Sequence, residues 1–262
     1  MTVSRPLKTT QVDQLPIAVY ESNTALGQAA AVEARQIIRQ AIAENGQANL
    51  ILATGNSQLT FLEALRDLDN IDWSKVNIFH MDEYLNLPPN HSASFPLFLH
   101  RHFIDYVQPG AFFPVPGHPD DVDQACSDYE ALLTQYPIDM VALGFGENGH
   151  LAFNDPPYAD FNDPAWVKVI ALAEASRRQQ VGEGHFASLD EVPTHAITLT
   201  IPALLAPRHI LCLVPEARKA EAVRACLTEP VDESRPGSIL RRVDNAKLFL
   251  DPDSAALLSL PD

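Results

Sequence analysis

The feature that most restricts this chain is an alternation: short apolar runs, rich in Val, Ile and Leu, each followed by a longer amphipathic stretch. The runs at 16–20, 49–53 (NLILA), 76–79, 139–143 (DMVAL), 196–200, 209–214 (HILCLV) and 246–250 predict strands. Near-continuous apolar character marks a strand covered on both faces. Between the runs, apolar residues recur at helical spacing. A helix is predicted from a cap at Asn23 or Thr24 to Ala43, with Leu26, Ala30, Ala34, Ile37 and Ile38 near one face. Further helices are predicted at 58–68, at 94–107 with Ser94 as cap, at 121–134 and 215–227, and a short one from Asp253. Strands alternating with helices give a mostly parallel sheet with helices on both faces, an α/β three-layer sandwich. No repeat, low-complexity tract or linker divides 1–262, so one domain is expected. The least regular stretch, 156–192, reads as an excursion over a site.

Charge narrows the partners. Lys and Arg number 18 and Asp and Glu 34, a net charge of −16. Such a field repels a phosphate backbone and argues against a nucleic-acid surface. An anionic ligand would need the few cations focused on one spot. The three cysteines, Cys126, Cys212 and Cys226, have neither zinc-ligand spacing nor the pattern of a disulfide framework. No signal-peptide core opens the chain, and no apolar run is long enough for a bilayer. A soluble, cytoplasmic setting is expected, with no membrane partner.

In open α/β sheets, ligands bind outside the carboxyl ends of the strands. Polar loops follow the predicted strands at 54–57, 81–84 and 144–150, and at the helix start 216–219; on parallel strands all four share one rim. Thr54-Gly55-Asn56-Ser57 leads from strand to helix, where exposed N–H groups and hydroxyls suit an anion. Taken alone it is a plain turn with Ser57 as N-cap, and it matches no Walker or dinucleotide fingerprint. Lys219 stands in a first helical turn, where a cation is mildly disfavoured unless it serves an anion. Arg218 competes with it, and a solvated lysine is the plain alternative. Asp82 and Glu83 follow a strand; a carboxylate there can act as general base if burial moves its pKa toward working pH, and is otherwise a solvated acidic loop.

Gly144-x-Gly146-x-x-Gly149-His150 spells GxGxxG, but no acidic ribose partner stands out and a dinucleotide reading is rejected. Glycines around a histidine suggest a tight backbone presenting the imidazole, or a packed turn. Asp155, five residues on, could orient or charge that ring. His80, His91, His100 and His102 raise the question of a metal. Positions two apart on a helix do not face each other, which separates His100 from His102, and no metal-ligand spacing occurs, so no metal is expected.

Residues 80–107 (HMDEYLNLPPNHSASFPLFLHRHFIDYV) and 144–157 (GFGENGHLAFNDPP) resemble the glucosamine-6-phosphate deaminase (isomerase) family, which is related to the 6-phosphogluconolactonases. The TGNS element and PEARKAEAV at 215–223 fit the same pattern. The resemblance implies a Rossmann-like fold, no cofactor, and conversion of glucosamine 6-phosphate and water to fructose 6-phosphate and ammonia. It implies Asp82 as the base that moves a proton from C2 to C1, and His150 as the group that opens the sugar ring. It puts Asp155 where the family carries the glutamate that partners this histidine. Lys219 and the backbone of Gly55 to Ser57, with Thr54, Asn56 and Glu83 beside them, would hold the substrate and its phosphate.

Departures from the family pattern leave alternatives open. Asn148 stands where an aspartate is usual, the loop reads TGNSQ rather than TGxTP, and the family's phosphate-binding arginine has two candidates, Arg177 and Arg178. No arginine lies near Trp166, so allosteric control by N-acetylglucosamine 6-phosphate is not expected. Galactosamine 6-phosphate, 6-phosphogluconolactone hydrolysis and a non-catalytic sugar-phosphate sensor are the competing readings. The resemblance is compatible with a monomer or a homo-oligomer.

Overall fold

The computed structural model describes residues 4–182 and 184–259, without the side chains of Ala175 and Gln179. Glu183, inside the stretch 156–192 singled out above, lies outside the described residues.

β1 (Lys8–Val12) and β2 (Leu15–Val19) form an antiparallel hairpin. α1 (Asn23–Asn45) follows. Its cap is Ser22, just before the expected Asn23 or Thr24, and its Oγ accepts from the Ala25 N–H at 3.2 Å. Gly46, at φ 79°, ends it with the left-handed turn that glycine adopts without strain. Then come β3 (Ala48–Leu52), α2 (Asn56–Arg66), β4 (Val76–His80), β5 (Asp82–Tyr84) and α3 (Phe95–Leu99), which continues through a π-helical turn, His100–Ile104, into α4 (Asp105–Val107). After β6 (Ala111–Phe113), α5 (Val122–Gln135) and β7 (Met140–Leu143), the chain forms β8 (Val167–Ala171), α6 (Glu174–Gly182), β9 (His195–Leu199) and α7 (Ile201–Leu205). It ends with β10 (His209–Val214), a 3-10 turn at Ala217–Lys219, α8 (Ala220–Thr228) and β11 (Ala246–Leu250).

Eight strands form the central sheet in the order β1-β2-β11-β10-β7-β3-β4-β6, all parallel except β1. Its inner strands are predominantly apolar because both faces are covered. Leu50 and Leu52 pack with Ala30, Ala34 and Ile38 of α1 and Phe61 of α2, whereas Ile51 points into the opposite core with Tyr129 of α5 and Val223 of α8. α1 and α2 approach so closely that a Cβ on Gly27 would lie 2.6 Å from Thr60. The result is a Rossmann-like three-layer α/β arrangement. Among the described residues, no helix is long and apolar enough to cross a membrane.

Three expectations are corrected. The strand at 196–200, observed as β9, does not join the parallel sheet. It is the middle of a second, antiparallel sheet of order β5-β9-β8. Asp82 and Glu83 are in a strand, not a loop, because β5 pairs with β9. The residues after Asp253 form turns rather than a helix, with the Asp251 carboxylate and the Ser254 backbone N–H bonded at 2.8 Å.

Candidate active site

β10, β7, β3 and β4 are consecutive parallel neighbours, so their carboxyl ends line one rim. The chain leaves β3 toward β4 on one side and later returns to β7 on the other. That reversal opens a crevice between β3 and β7. The cleft found there encloses about 940 Å³, including space open to solvent. Thr54, Gly55, Asn56, Ser57, Asp82, His150 and Lys219 all line it. The sequence placed these residues on four separate loops; the fold brings them to one cavity.

At one end is the start of α2, two residues earlier than expected. Gly55, at φ 96°, is its N-cap and carries no side-chain capping bond. Asn56 and Ser57 therefore sit in the first turn, where backbone N–H groups and the helix dipole favour an anion. Lys219, at the end of the 3-10 turn before α8, is 5% exposed and lines the same cleft. Arg218 also lines it; its guanidinium bonds Glu216 at 2.6 Å and Glu147 at 3.4 Å. Glu216 has φ 83°, a strained value for a residue with a side chain, held by Asp251 accepting from its N–H at 3.1 Å.

Asp82 and Glu83 are neighbours on a strand, so their side chains leave opposite faces. Asp82 faces the cleft. Burial, then the charge of Glu83, push its carboxyl up to about 8. Glu83 faces away from the cleft: its carboxylate accepts from the Tyr84 N–H at 2.7 Å, the Ser94 hydroxyl at 3.0 Å and the Phe95 N–H at 3.1 Å. Burial raises it to about 7 against the opposing pull of those three donors. Glu83 therefore joins β5 to the start of α3 and lies outside the cleft lining, unlike the substrate-contacting role given to it above.

His150 stands over Gly146, where a Cβ would overlap the imidazole ring. Its surroundings fix the ring's protons. The Asn148 amide donates through Nδ2 to Asp155 Oδ1 at 2.8 Å, while its Oδ1 accepts the His150 backbone N–H at 3.1 Å. The amide orientation is thus assigned from its network. His150 Nδ1 then faces two acceptors, Asn148 Oδ1 at 2.8 Å and Asp155 Oδ1 at 3.2 Å, and carries the proton. Nε2 remains as the atom able to accept one. Asp155 is fully buried and also accepts from the Ser176 hydroxyl at 2.6 Å. Burial pushes its carboxyl up, but bonds and charge from His150, with Ser176 and Asn148, outweigh that and hold it below the ordinary range.

β9 ties these two parts together. Thr198 pairs with Asp82 across the sheet and accepts the Phe153 N–H on Oγ1 at 3.2 Å. Asn154 donates to the carbonyls of Leu151 and Leu199, both at 2.8 Å.

Arg177 and Arg178 are not brought to the cleft. Arg177 donates to the carbonyls of Leu189 at 2.6 Å and Val192 at 2.9 Å, and Arg178 pairs with Glu174 one helical turn away. Gln58, Gln180 and His185 line the cleft without having been singled out from the sequence. Ser176 was not singled out either. Its serine type gave no signal, because its partner is brought to it only by the tertiary fold. His80, one of the four histidines considered for a metal, is buried with Nδ1 accepting the Val115 N–H at 3.2 Å. Burial lowers it to about 3, so it is a neutral packing group at physiological pH.

The chain was compared with known proteins. The family model described as glucosamine-6-phosphate isomerases/6-phosphogluconolactonase matches residues 21–249. Relatives from Bacillus cereus (strain G9842) and Bacillus thuringiensis (strain Al Hakam), both named glucosamine-6-phosphate deaminase, are 31% identical over 224 residues, covering 86% of this chain and 83% of theirs. The solved structure of a monomeric glucosamine-6-phosphate deaminase superposes with a TM-score of 0.84 at 28% identity, over 92% of this chain and 99% of that one. A 6-phosphogluconolactonase from Shewanella baltica OS155 shares the fold at a TM-score of 0.75 and 20% identity, over 92% of this chain and all of its own. Matched over most of its length, and with relatives at this identity, the chain belongs to the glucosamine-6-phosphate isomerase/6-phosphogluconolactonase family.

Proposed function

We propose that this chain is a glucosamine-6-phosphate deaminase, converting glucosamine 6-phosphate and water to fructose 6-phosphate and ammonia. The observation that carries this reading is one cleft lined by a buried carboxylate, a histidine with an oriented ring, and an anion-suited helix start with a lysine. The 31% identity to relatives of that name supports it.

The chemistry follows from the atoms available. With Nδ1–H committed to Asn148 and Asp155, His150 Nε2 takes the proton of the anomeric hydroxyl and returns one to the ring oxygen, opening the sugar. Asp82 then removes the proton from C2 and delivers it to C1. Between the two steps an enolamine forms as O1 takes a proton from solvent; when C1 is protonated the nitrogen gives a proton to solvent, and water hydrolyses the resulting C2 imine to the ketone with loss of ammonia. A carboxyl raised to about 8 is matched to this work, since a base is most useful with a pKa near working pH. Asp155 supplies the negative charge that Asn148 lacks, stabilising the imidazolium while His150 holds two protons. Lys219 and the first turn of α2 hold the phosphate. The segment 156–192 contributes Gln180 and His185 to the cleft wall, which supports reading it as a cover within one domain. We assign the enzyme to the cytoplasm, in keeping with three buried free cysteines.

The test is ammonia release from glucosamine 6-phosphate. Asp82→Asn is expected to lower kcat by roughly 10²–10⁴-fold. Equal rates in both proteins remove Asp82 as the base. A substrate panel decides the rest: faster turnover of galactosamine 6-phosphate or 6-phosphogluconolactone, or binding without turnover of any sugar phosphate, overturns the assignment.

A further inference from the structure

We infer that Gln58 is a positioning residue for the anion end of the cleft: its side-chain amide holds the Ser57 hydroxyl as an acceptor and so turns the hydroxyl hydrogen toward a bound phosphate group. The inference rests on the reading that this cleft takes a phosphate ester, and adds the group that sets one of its donors.

Gln58 lies in the first turn of α2 and is 1% exposed, an unusual degree of burial for glutamine. Its Nε2 donates to Ser57 Oγ at 3.3 Å, and its Oε1 is buried with no hydrogen-bond partner among the described residues. A hydroxyl has one hydrogen to give and lone pairs to accept with. When Gln58 occupies a lone pair, the hydrogen is free to point into the cleft that both residues line. Ser57 then donates alongside the first-turn N–H groups and Lys219. The reversed amide would take the hydroxyl hydrogen for itself and turn a Ser57 lone pair toward the anion. It would also leave Nε2 as the unpartnered atom, so it gains nothing in the fold and loses a donor in the site.

Two further observations fit. A buried amide oxygen without a partner destabilises a fold, so stability does not explain why the residue is glutamine. Space is also made for the pair: a Cβ on Gly144 would lie 3.3 Å from Gln58 Nε2 and 2.8 Å from the Leu213 carbonyl. The end of β7 thus lets the serine–glutamine pair sit against β10.

Binding of inorganic phosphate, measured by calorimetry, tests this without depending on turnover. Gln58→Met, of similar shape but without the amide, is expected to weaken phosphate binding roughly three- to tenfold, the worth of one hydrogen bond. It should raise KM for glucosamine 6-phosphate more than it lowers kcat, with no fall in the melting temperature of the phosphate-free protein. Gln58→Glu should weaken binding further, because a carboxylate captures the hydroxyl hydrogen and repels the anion. In a Ser57→Ala background, Gln58→Met should change affinity less than about twofold, since coupled residues are not additive. Wild-type affinity in Gln58→Met or Gln58→Glu overturns the inference. So does full multiplication of the two single effects in the double variant, or a fall in melting temperature with affinity unchanged. If the wild type binds phosphate but releases no ammonia from glucosamine 6-phosphate, the proposed function fails while the calorimetric cycle still decides the role of Gln58. A wild type that binds no phosphate overturns the inference, while ammonia release still decides the proposed function.

Discussion

Asp82 is unstable in the place where it is useful. Its raised carboxyl binds a proton in the folded state that the unfolded chain would have lost near pH 4, so this contribution to stability is present at low pH and lost as pH rises through about 8. Asp82→Asn removes the ionisation, and the variant's melting temperature should exceed that of the wild type by a margin that widens from pH 6 to pH 9. The gain expected at pH 9 is on the order of 1–3 kcal/mol. Parallel melting curves across that range would deny the shift. His150 depends on a neighbour with no side chain. Gly146→Ala drives a methyl into the imidazole, and a displacement on the scale of an ångström in an aligned site costs about hundredfold in rate. Steady-state kinetics on the variant check this; a wild-type kcat would mean that the ring is not held against Gly146.

At the scale of elements, β5 and the start of α3 form one unit through Glu83. Three donors converge on its carboxylate, and Glu83→Gln turns an amide N–H₂ toward at least one of them. The expected loss is about 1–3 kcal/mol, read as a lower melting temperature by several degrees. Because the Glu83 charge helps to raise Asp82, the acid limb of the pH–rate profile should also move to lower pH. An unchanged melting temperature with a raised KM would return Glu83 to the substrate. Elements differ in how openly the sequence displays them. β3, β7, β10 and β11 are predominantly apolar and buried and announce themselves locally. β1 (KTTQV) is a polar, half-exposed strand at the sheet edge, and β5 (DEY) and β6 (AFF) have three residues each. β5 and β6 pair with distant partners, β9 and β4, and β1, although joined to β2 in a hairpin, lacks the apolar pattern of a covered strand, so no local period reveals them.

For the molecule as a whole, the perturbed groups set a pH window. Asp82 and Glu83, raised to about 8 and about 7, each make stability fall with rising pH. His80, lowered to about 3, does the reverse: its contribution is present above pH 6.5 and lost as pH falls toward its folded value. Below pH 6.5 these trends oppose each other. Between pH 6.5 and 8 only the two carboxyls act, and unfolding free energy should fall there by on the order of 1–2 kcal/mol. Denaturant titrations at pH 6.5 and 8 measure it; greater stability at pH 8 would contradict the arrangement. The net charge of −16 works in the same direction, since self-repulsion opposes the compact state and is relieved by salt.

By itself the sequence determined which segments must be covered on two faces and which polar loops must follow them, because hydrophobic pattern and turn chemistry act over neighbouring residues. From that alone, Asp82, His150, Lys219 and residues 54–57 could be assigned to one rim. Only the tertiary structure decided which of two adjacent carboxylates meets the cleft, because strand pairing with β9 fixes the face each one takes. It turned the Asn148 amide between His150 and Asp155, brought Ser176 to that pair, buried Gln58 behind Ser57, and tied Arg177 and Arg178 into their own segment. The pairing of Asp82 with Thr198 and the bond between Ser176 and Asp155 bring distant residues to hydrogen-bond distance, which no local pattern encodes; the Asn148, Gln58 and Arg178 contacts are short-range in sequence, and the fold decides how they stand relative to the cleft.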